Sequence, residues 1–201
     1  MARIRRLNPL RKPSYGQTAV NYVIDPGMGL FYCIAYDFPL AEQLNANEES
    51  LLPALLGAVS VSVDPSYPEE NCMVDYAAAR KGYGPLVYDL TARGLGKYVR
   101  ICQSLKPSDA QSQFAQSFWQ RVQAKELQPL SDDVFTAKYG VPASVMESKG
   151  KKWSRGRRLG AQNHDLVDAA NRMFRKYISV GIQNVAPIPL STALKKMGYR
   201  Q

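Results

Sequence analysis

The reading of the fold turns on CMVDYAAARKGYGPLVYDLTARGLG, Cys72–Gly96. Its first eight residues follow the turn chemistry of PSYPEEN (65–71) and read as a strand. Lys81-Gly82-Tyr83-Gly84 turns the chain, and Pro85 suits the first turn of a helix, where its missing N–H costs no intrahelical bond. Leu86, Val87, Leu90, Ala92 and Leu95 supply an apolar face, with Gly94 and Gly96 as stop signals. A strand that enters a glycine turn and then a helix aims unpaired backbone N–H groups and the positive end of a dipole at one point. That is a ready site for a diphosphate.

Working upstream, LLGAVSVSVDPS (55–66) alternates Val59, Val61 and Val63 against Ser60, Ser62 and Asp64, the pattern of a half-buried strand. The strand at 72–79 is expected antiparallel to it. GLFYCIAYDF (29–38) is a third strand candidate, bounded by Pro26-Gly27 and Pro39, and 41–53 reads as a loop or short helix. Downstream, KYVRICQSL (97–105) alternates like a strand, and an open wedge is expected between 72–79 and 97–103. PSDAQSQFAQSFWQRVQAKEL (107–127) reads as a helix capped by Ser108 or Asp109, with Phe114, Ala115, Phe118, Trp119 and Val122 as its core face. NHDLVDAANRMFRKYISVG (163–181) is a second helix, with Asn163 as cap, acids in its first turn and Arg172, Arg175 and Lys176 in its last turns. APIPLSTALKKMGYRQ (186–201) reads as a tail.

The chain of 201 residues has 45% hydrophobic and 21% charged residues, which excludes a disordered polymer and fits one α/β domain. No run reaches the roughly 18 apolar residues of a membrane span, and no apolar segment follows the basic N-terminus. A cytoplasmic protein is expected, in a host cytoplasm or a virion. Cys33, Cys72 and Cys102 are odd in number and lack Cys-x-x-Cys spacing, so buried reduced thiols are expected rather than disulfides or zinc ligands. The one histidine, His164, reads as a surface residue at a helix start, and no metal site is expected.

Charge is distributed unevenly. Residues 1–12 carry Arg3, Arg5, Arg6, Arg11 and Lys12 and no acid, and KGKKWSRGRR (149–158) carries six more basic residues. The stretch 13–148 has nine basic and fifteen acidic residues, a net of −6. Residues 1–16 therefore read as a basic arm, 17–140 as the folded domain, and 141–201 as a basic extension containing a helix at 163–180. Lys151, Lys152, Trp153, Arg155, Arg157 and Arg158, with Arg3, Arg5 and Arg6, are candidate contacts to nucleic acid, neighbouring subunits or an acidic partner: cations for phosphates and an indole for stacking.

The order strand, strand, strand, glycine turn, helix, strand, helix over 29–124, with Lys81-Gly82-Tyr83-Gly84-Pro85-Leu86 after CMVDYAAAR, resembles the core of the GNAT (Gcn5-related) N-acyltransferase superfamily. KGYGPLVYDL also resembles the form this motif takes in small phage-encoded proteins of GNAT type. The resemblance covers about half the chain. It implies a mixed, mostly antiparallel sheet flanked by helices, and acetyl-CoA as the acyl donor. Arg80, Lys81, Gly82, Tyr83 and Gly84 would then meet the diphosphate, and the strand from Met73 would carry the pantetheine arm. An amine would attack the thioester directly, with Asp75 as the base. Arg80 stands one residue later than the family's Gln or Arg, a place held here by Ala79. Trp119 stands where the family often has a tyrosine. Two functions follow: an acetyl-CoA-dependent N-acyltransferase, or a catalytically silent GNAT fold serving a phage virion as a structural or assembly component through its basic arms.

Overall fold

The computed structural model describes residues 14–182 apart from 26, 70, 100, 101 and 156–158, with side-chain environments for 14–151 and 164–176 among them. The strands form one antiparallel sheet in the order β1 (Thr18–Asp25), β2 (Leu30–Asp37), β3 (Leu55–Ser62), β4 (Met73–Ala79). Among the described residues there are six α-helices: α1 (Phe38–Ala46), α2 (Gly84–Tyr98), α3 (Gln113–Trp119), α4 (Asp132–Tyr139), α5 (Ala143–Arg155) and α6 (Leu159–Ile182). The protein is mixed α/β, with strands at 55–62 and 73–79 antiparallel, as expected of two strands joined through the PSYPEEN turn.

Side-chain alternation divides the core into two layers. Val20, Phe31, Cys33, Ala35, Val59, Val61 and Val74 face α2, which contributes Leu86, Val87, Leu90 and Leu95. Each of those leucines is at most 1% exposed, worth about 1.5–3 kcal/mol apiece. The opposite face, with Ala19, Tyr32, Ile34, Tyr36 and Ala58, is covered by α1 and by Leu166, Ala169, Ala170, Met173 and Phe174 of α6. Covering both faces explains why β3 is buried along nearly its whole length, not half-buried as its Val/Ser alternation suggests. Ser60 lies in this layer because its hydroxyl accepts the Tyr76 N–H at 3.1 Å.

Two residues interrupt the ladders. Ala35 pairs with Gly57 and Tyr36 with Leu55, leaving Leu56 extra; Ser60 pairs with Tyr76 and Val61 with Val74, leaving Asp75 extra. The β1 edge is closed by α5. Gly150 lies so close to β1 that a Cβ there would collide with Asn21 Oδ1 and the Val20 carbonyl, and the Lys149 ammonium donates to the Gly16 carbonyl. One turn earlier, Glu147 is 7% exposed and accepts from Lys97 Nζ at 2.8 and 2.9 Å and from Tyr98 Oη, with Lys151 Nζ at 3.3 Å.

Several expectations are corrected. Cys72 and Cys102 form a disulfide, leaving Cys33 as the free buried thiol; the bond joins the start of β4 to the chain after α2, a proximity that sequence spacing does not encode. Burial pushes the Cys33 thiol up to about 12, against a lowering hydrogen bond from Thr91. No strand occupies 97–103 among its described residues. Lys97 and Tyr98 end α2, which runs through both proposed stop glycines. Gly94 stays inside because its missing Cβ makes room for the Tyr22 and Phe31 rings. The helix predicted over 107–127 is only α3, capped by Ser112 rather than Ser108 or Asp109, with Phe114 90% exposed. Helix α6 begins at Leu159, so Asn163 lies within it rather than capping it. His164 is exposed, as expected, but lies inside α6 rather than at its start. The sequence reading missed β1, whose signal was Val20, Tyr22 and Ile24 between Gly16 and Pro26-Gly27. The 186–201 tail and Arg3, Arg5, Arg6, Arg157 and Arg158 lie outside the described residues; Lys152, Trp153 and Arg155 belong to α5 by backbone, with their side chains outside the description.

Candidate cofactor-binding turn

The turn after β4 is built by a hydrogen bond from Tyr83 N to Arg80 O at 3.0 Å. Gly82, at φ 89°, takes the third position of this four-residue turn, the pattern of a type II turn and a conformation L side chains rarely adopt. Gly84 then opens α2, with Pro85 in its first turn. The first turns of α1, α3 and α4 are capped by Asp37, Ser112 and Ser131, whereas Tyr83 gives α2 no side-chain cap and its first turn holds no acid. Among the described residues, the amides of Lys81, Gly82 and Gly84 meet no protein acceptor. A Cβ built on Gly84 meets nothing within 4 Å, so the ground in front of this helix end is open.

Arg80 has a different task from the one its position suggests. Its Nε donates to the Leu55 carbonyl at 2.6 Å and its Nη2 to the Pro53 carbonyl. The guanidinium therefore fixes the turn to the entry of β3, and the exposed Lys81 is the cation left on the turn itself.

Tyr15 lies against the same turn. Its hydroxyl donates to the Gly82 carbonyl at 3.1 Å, and its ring meets those of Tyr83 and Tyr139 edge-on, with centroids 5.6 and 5.2 Å apart. Burial, then the neighbouring Tyr83, raises the Tyr15 pKa; burial, then Asp37, raises that of Tyr83, with Arg80 opposing. Behind them Asp89, 1% exposed in α2, accepts from Lys138 Nζ at 2.6 Å and from Tyr139 Oη. Burial and then the Asp89 charge hold the Tyr139 hydroxyl protonated far above its ordinary range. Sequence reading did not single out Tyr15, Asp89, Lys138 or Tyr139. The available signal was an acid inside the apolar run PLVYDL, since a buried carboxylate requires partners.

Asp75 is exposed and sits apart from the turn, four residues and roughly 13 Å along β4. Its charge adds to burial in raising the Tyr32 and Tyr76 hydroxyls, which places it beside those rings. Met73 is half-buried at the far end of the strand, paired with Ser62 on one side and Lys106 on the other. There Val74 N donates to Lys106 O at 2.9 Å and Lys106 N to Cys72 O at 2.8 Å. Beyond Val74, Tyr76–Ala79 have no outer partner strand among the described residues. The outer edge is thus closed at Cys72–Val74 and open toward the turn. Trp119 is 2% exposed, packed edge-on against Tyr88 and Phe118 with centroids 5.4 Å away in each case.

Among the described residues, no cluster of three or more His, Cys, Asp or Glu is arranged to hold a metal ion, and no helix is long and apolar enough to cross a membrane. Neither a protein-family model, nor a curated protein, nor a solved structure matches the chain significantly.

Proposed function

We propose that the protein is a GNAT-like N-acyltransferase that moves an acetyl group from acetyl-CoA directly to an amine. The observation that carries this reading is the geometry of β4, an edge strand that among the described residues is paired on its outer side only at its start, and that leads into the open, uncapped turn of α2. The residues fit the donor: free amides at Lys81, Gly82 and Gly84 and the Lys81 ammonium suit a diphosphate, while Gly84 leaves space for its approach. Unpaired β4 backbone suits an extended chain carrying amides of its own, added like a strand. Acetyl-CoA supplies an activated thioester. The protein holds it, orients the amine and takes the amine's proton at Asp75, which a bulge re-aims from the regular alternation.

Differential scanning with acetyl-CoA tests binding. At a hundredfold over its dissociation constant a ligand adds about 2.7 kcal/mol of stability, and Gly84→Glu, which puts a carboxylate at the diphosphate position, should abolish the shift. No shift at millimolar acetyl-CoA overturns the proposal.

The buried Trp119 favours a second reading, the catalytically silent fold in a virion. Its indole is a packed core group and an unsuitable proton donor to a thiolate. The Cys72–Cys102 bond also suits an oxidising setting, virion surfaces included. A thermal shift with acetyl-CoA, but no turnover with any amine and no change in Asp75→Asn, would select this reading.

A further inference from the structure

The Gly82–Tyr83 peptide sits inside the turn before α2, and glycine by itself leaves its orientation open. Gly82 stands at φ 89° and could adopt a negative φ at little steric cost. Hydrogen bonds hold both edges of that peptide. Tyr83 N donates to Arg80 O at 3.0 Å, and the Gly82 carbonyl accepts from Tyr15 Oη at 3.1 Å, across 67 positions. The first bond is made within the turn. The second is supplied from outside it, by the segment that leads into β1.

Tyr15 is itself held in place. Thr18 N donates to the Tyr15 carbonyl at 3.0 Å, and the ring stands edge-on to both Tyr83 and Tyr139. Tyr139 donates in turn to Asp89, the 1% exposed carboxylate that also accepts from Lys138 at 2.6 Å. A buried acid of α2 thus fixes Tyr139, Tyr139 backs Tyr15, and Tyr15 holds Gly82. This gives the Asp89–Lys138–Tyr139 group, which acyl transfer does not use, a task as the support of the turn.

We propose that Tyr15 is a positioning residue for a diphosphate at the α2 turn, its hydroxyl fixing the Gly82–Tyr83 peptide so that the turn offers amides to the anion. The inference rests on the donor reading under Proposed function, and Tyr15 acts through Gly82 rather than on the ligand. The hydrogen-bond accounting of the turn supports it. The carbonyls of Arg80, Gly82 and Tyr83 accept from Tyr83 N, Tyr15 Oη and Val87 N. Among the described residues, the amides of Lys81, Gly82 and Gly84 are left without a protein acceptor. A loose carbonyl beside an anion would present its negative end; the Tyr15 hydroxyl engages the Gly82 oxygen and keeps the turn a net donor.

The test is titration calorimetry of the full chain and its Tyr15→Phe variant with acetyl-CoA and, separately, with inorganic pyrophosphate. Phenylalanine keeps the ring beside Tyr83 and Tyr139 and removes only the hydroxyl. The dissociation constants of both ligands should rise by a common factor of about 2- to 10-fold, the worth of one neutral hydrogen bond. A merely structural role would lower the melting temperature of the free protein and leave both constants unchanged. That result overturns the proposal, as does a rise for acetyl-CoA alone. If both proteins bind acetyl-CoA equally well, this inference fails while the donor reading stands. If the wild type binds pyrophosphate but not acetyl-CoA, the donor reading fails, and the two pyrophosphate constants decide for or against Tyr15. Binding of neither ligand overturns both.

Discussion

At the scale of single residues, Gly150 and Glu147 are where helix α5 is fixed. Gly150 has no Cβ because β1 backbone occupies that space, so Gly150→Ala must push α5 away from Val20 and Asn21. A destabilisation of about 1–3 kcal/mol is expected from such overpacking, readable as a lower denaturation midpoint at unchanged m-value. Glu147 gives a pH signature. Its burial favours the neutral acid, but the hydrogen bonds of Lys97, Tyr98 and Lys151 together outweigh that and hold its pKa below the ordinary value. A carboxylate depressed in the folded state contributes stability that is full above its unfolded pKa and is lost as pH falls through the folded one. Urea midpoints measured from pH 7 down to pH 3 should therefore fall less in Glu147→Gln than in the wild type; parallel curves would refute the assignment. Arg80 shows the limit of reading a motif by position. Its charge stands at the turn in sequence, yet its guanidinium is bound to the Pro53 and Leu55 carbonyls.

At the scale of elements, β4 and α2 form a loop closed by Cys72–Cys102, thirty positions apart. Constraining a loop of this length in the unfolded chain is worth about 3–4 kcal/mol in the chain-entropy account. The bond also holds the 105–106 segment to the first part of β4, where Lys106 exchanges hydrogen bonds with Cys72 and Val74. Cys72→Ala/Cys102→Ala should lose stability of that order and show faster amide exchange at Val74 and Lys106, while β1 and β2 stay protected. Uniform loss of protection would mean that the bond supports the whole fold instead of that edge. The α2 reading from sequence was sound in its start and its apolar face. It failed at its end, because Gly94 and Gly96 looked like terminators. Gly94 instead admits the Tyr22 and Phe31 rings, a packing requirement that outweighs its poor helix propensity.

At the scale of the molecule, the C-terminal part of the chain completes the core. Helix α6 buries Leu166, Met173 and Phe174 against the face of the sheet opposite α2, each worth about 1.5–3 kcal/mol. That sum is comparable with the whole stability of an ordinary domain, about 5–15 kcal/mol. A chain ending at residue 158 should therefore lose its cooperative thermal transition by circular dichroism, and a retained sharp melt would show that α6 is dispensable. The same helix makes the second face of β3 a buried one, a covering that the Val/Ser alternation of 55–62 cannot report. The candidate site was half legible. The glycine turn and the strand before it stand contiguously in sequence, whereas Tyr15, Lys138 and Tyr139 reach the turn only through folding.

By itself the sequence determined the local structure: strands at β2, β3 and β4, the turn that needs Gly82, the helix that starts after it, and the two acid-free basic stretches at 1–12 and 149–158. These follow from periodicity, φ preference and composition, which act over a few residues at a time. Tertiary structure alone decided which cysteines pair, that Asp75 is the extra residue of a bulge, that Arg80 faces β3, and that Lys149 of α5 meets Gly16 just before β1. Each of those depends on positions from about 15 to more than 130 apart, and only the packing of sheet against helices brings such positions into contact.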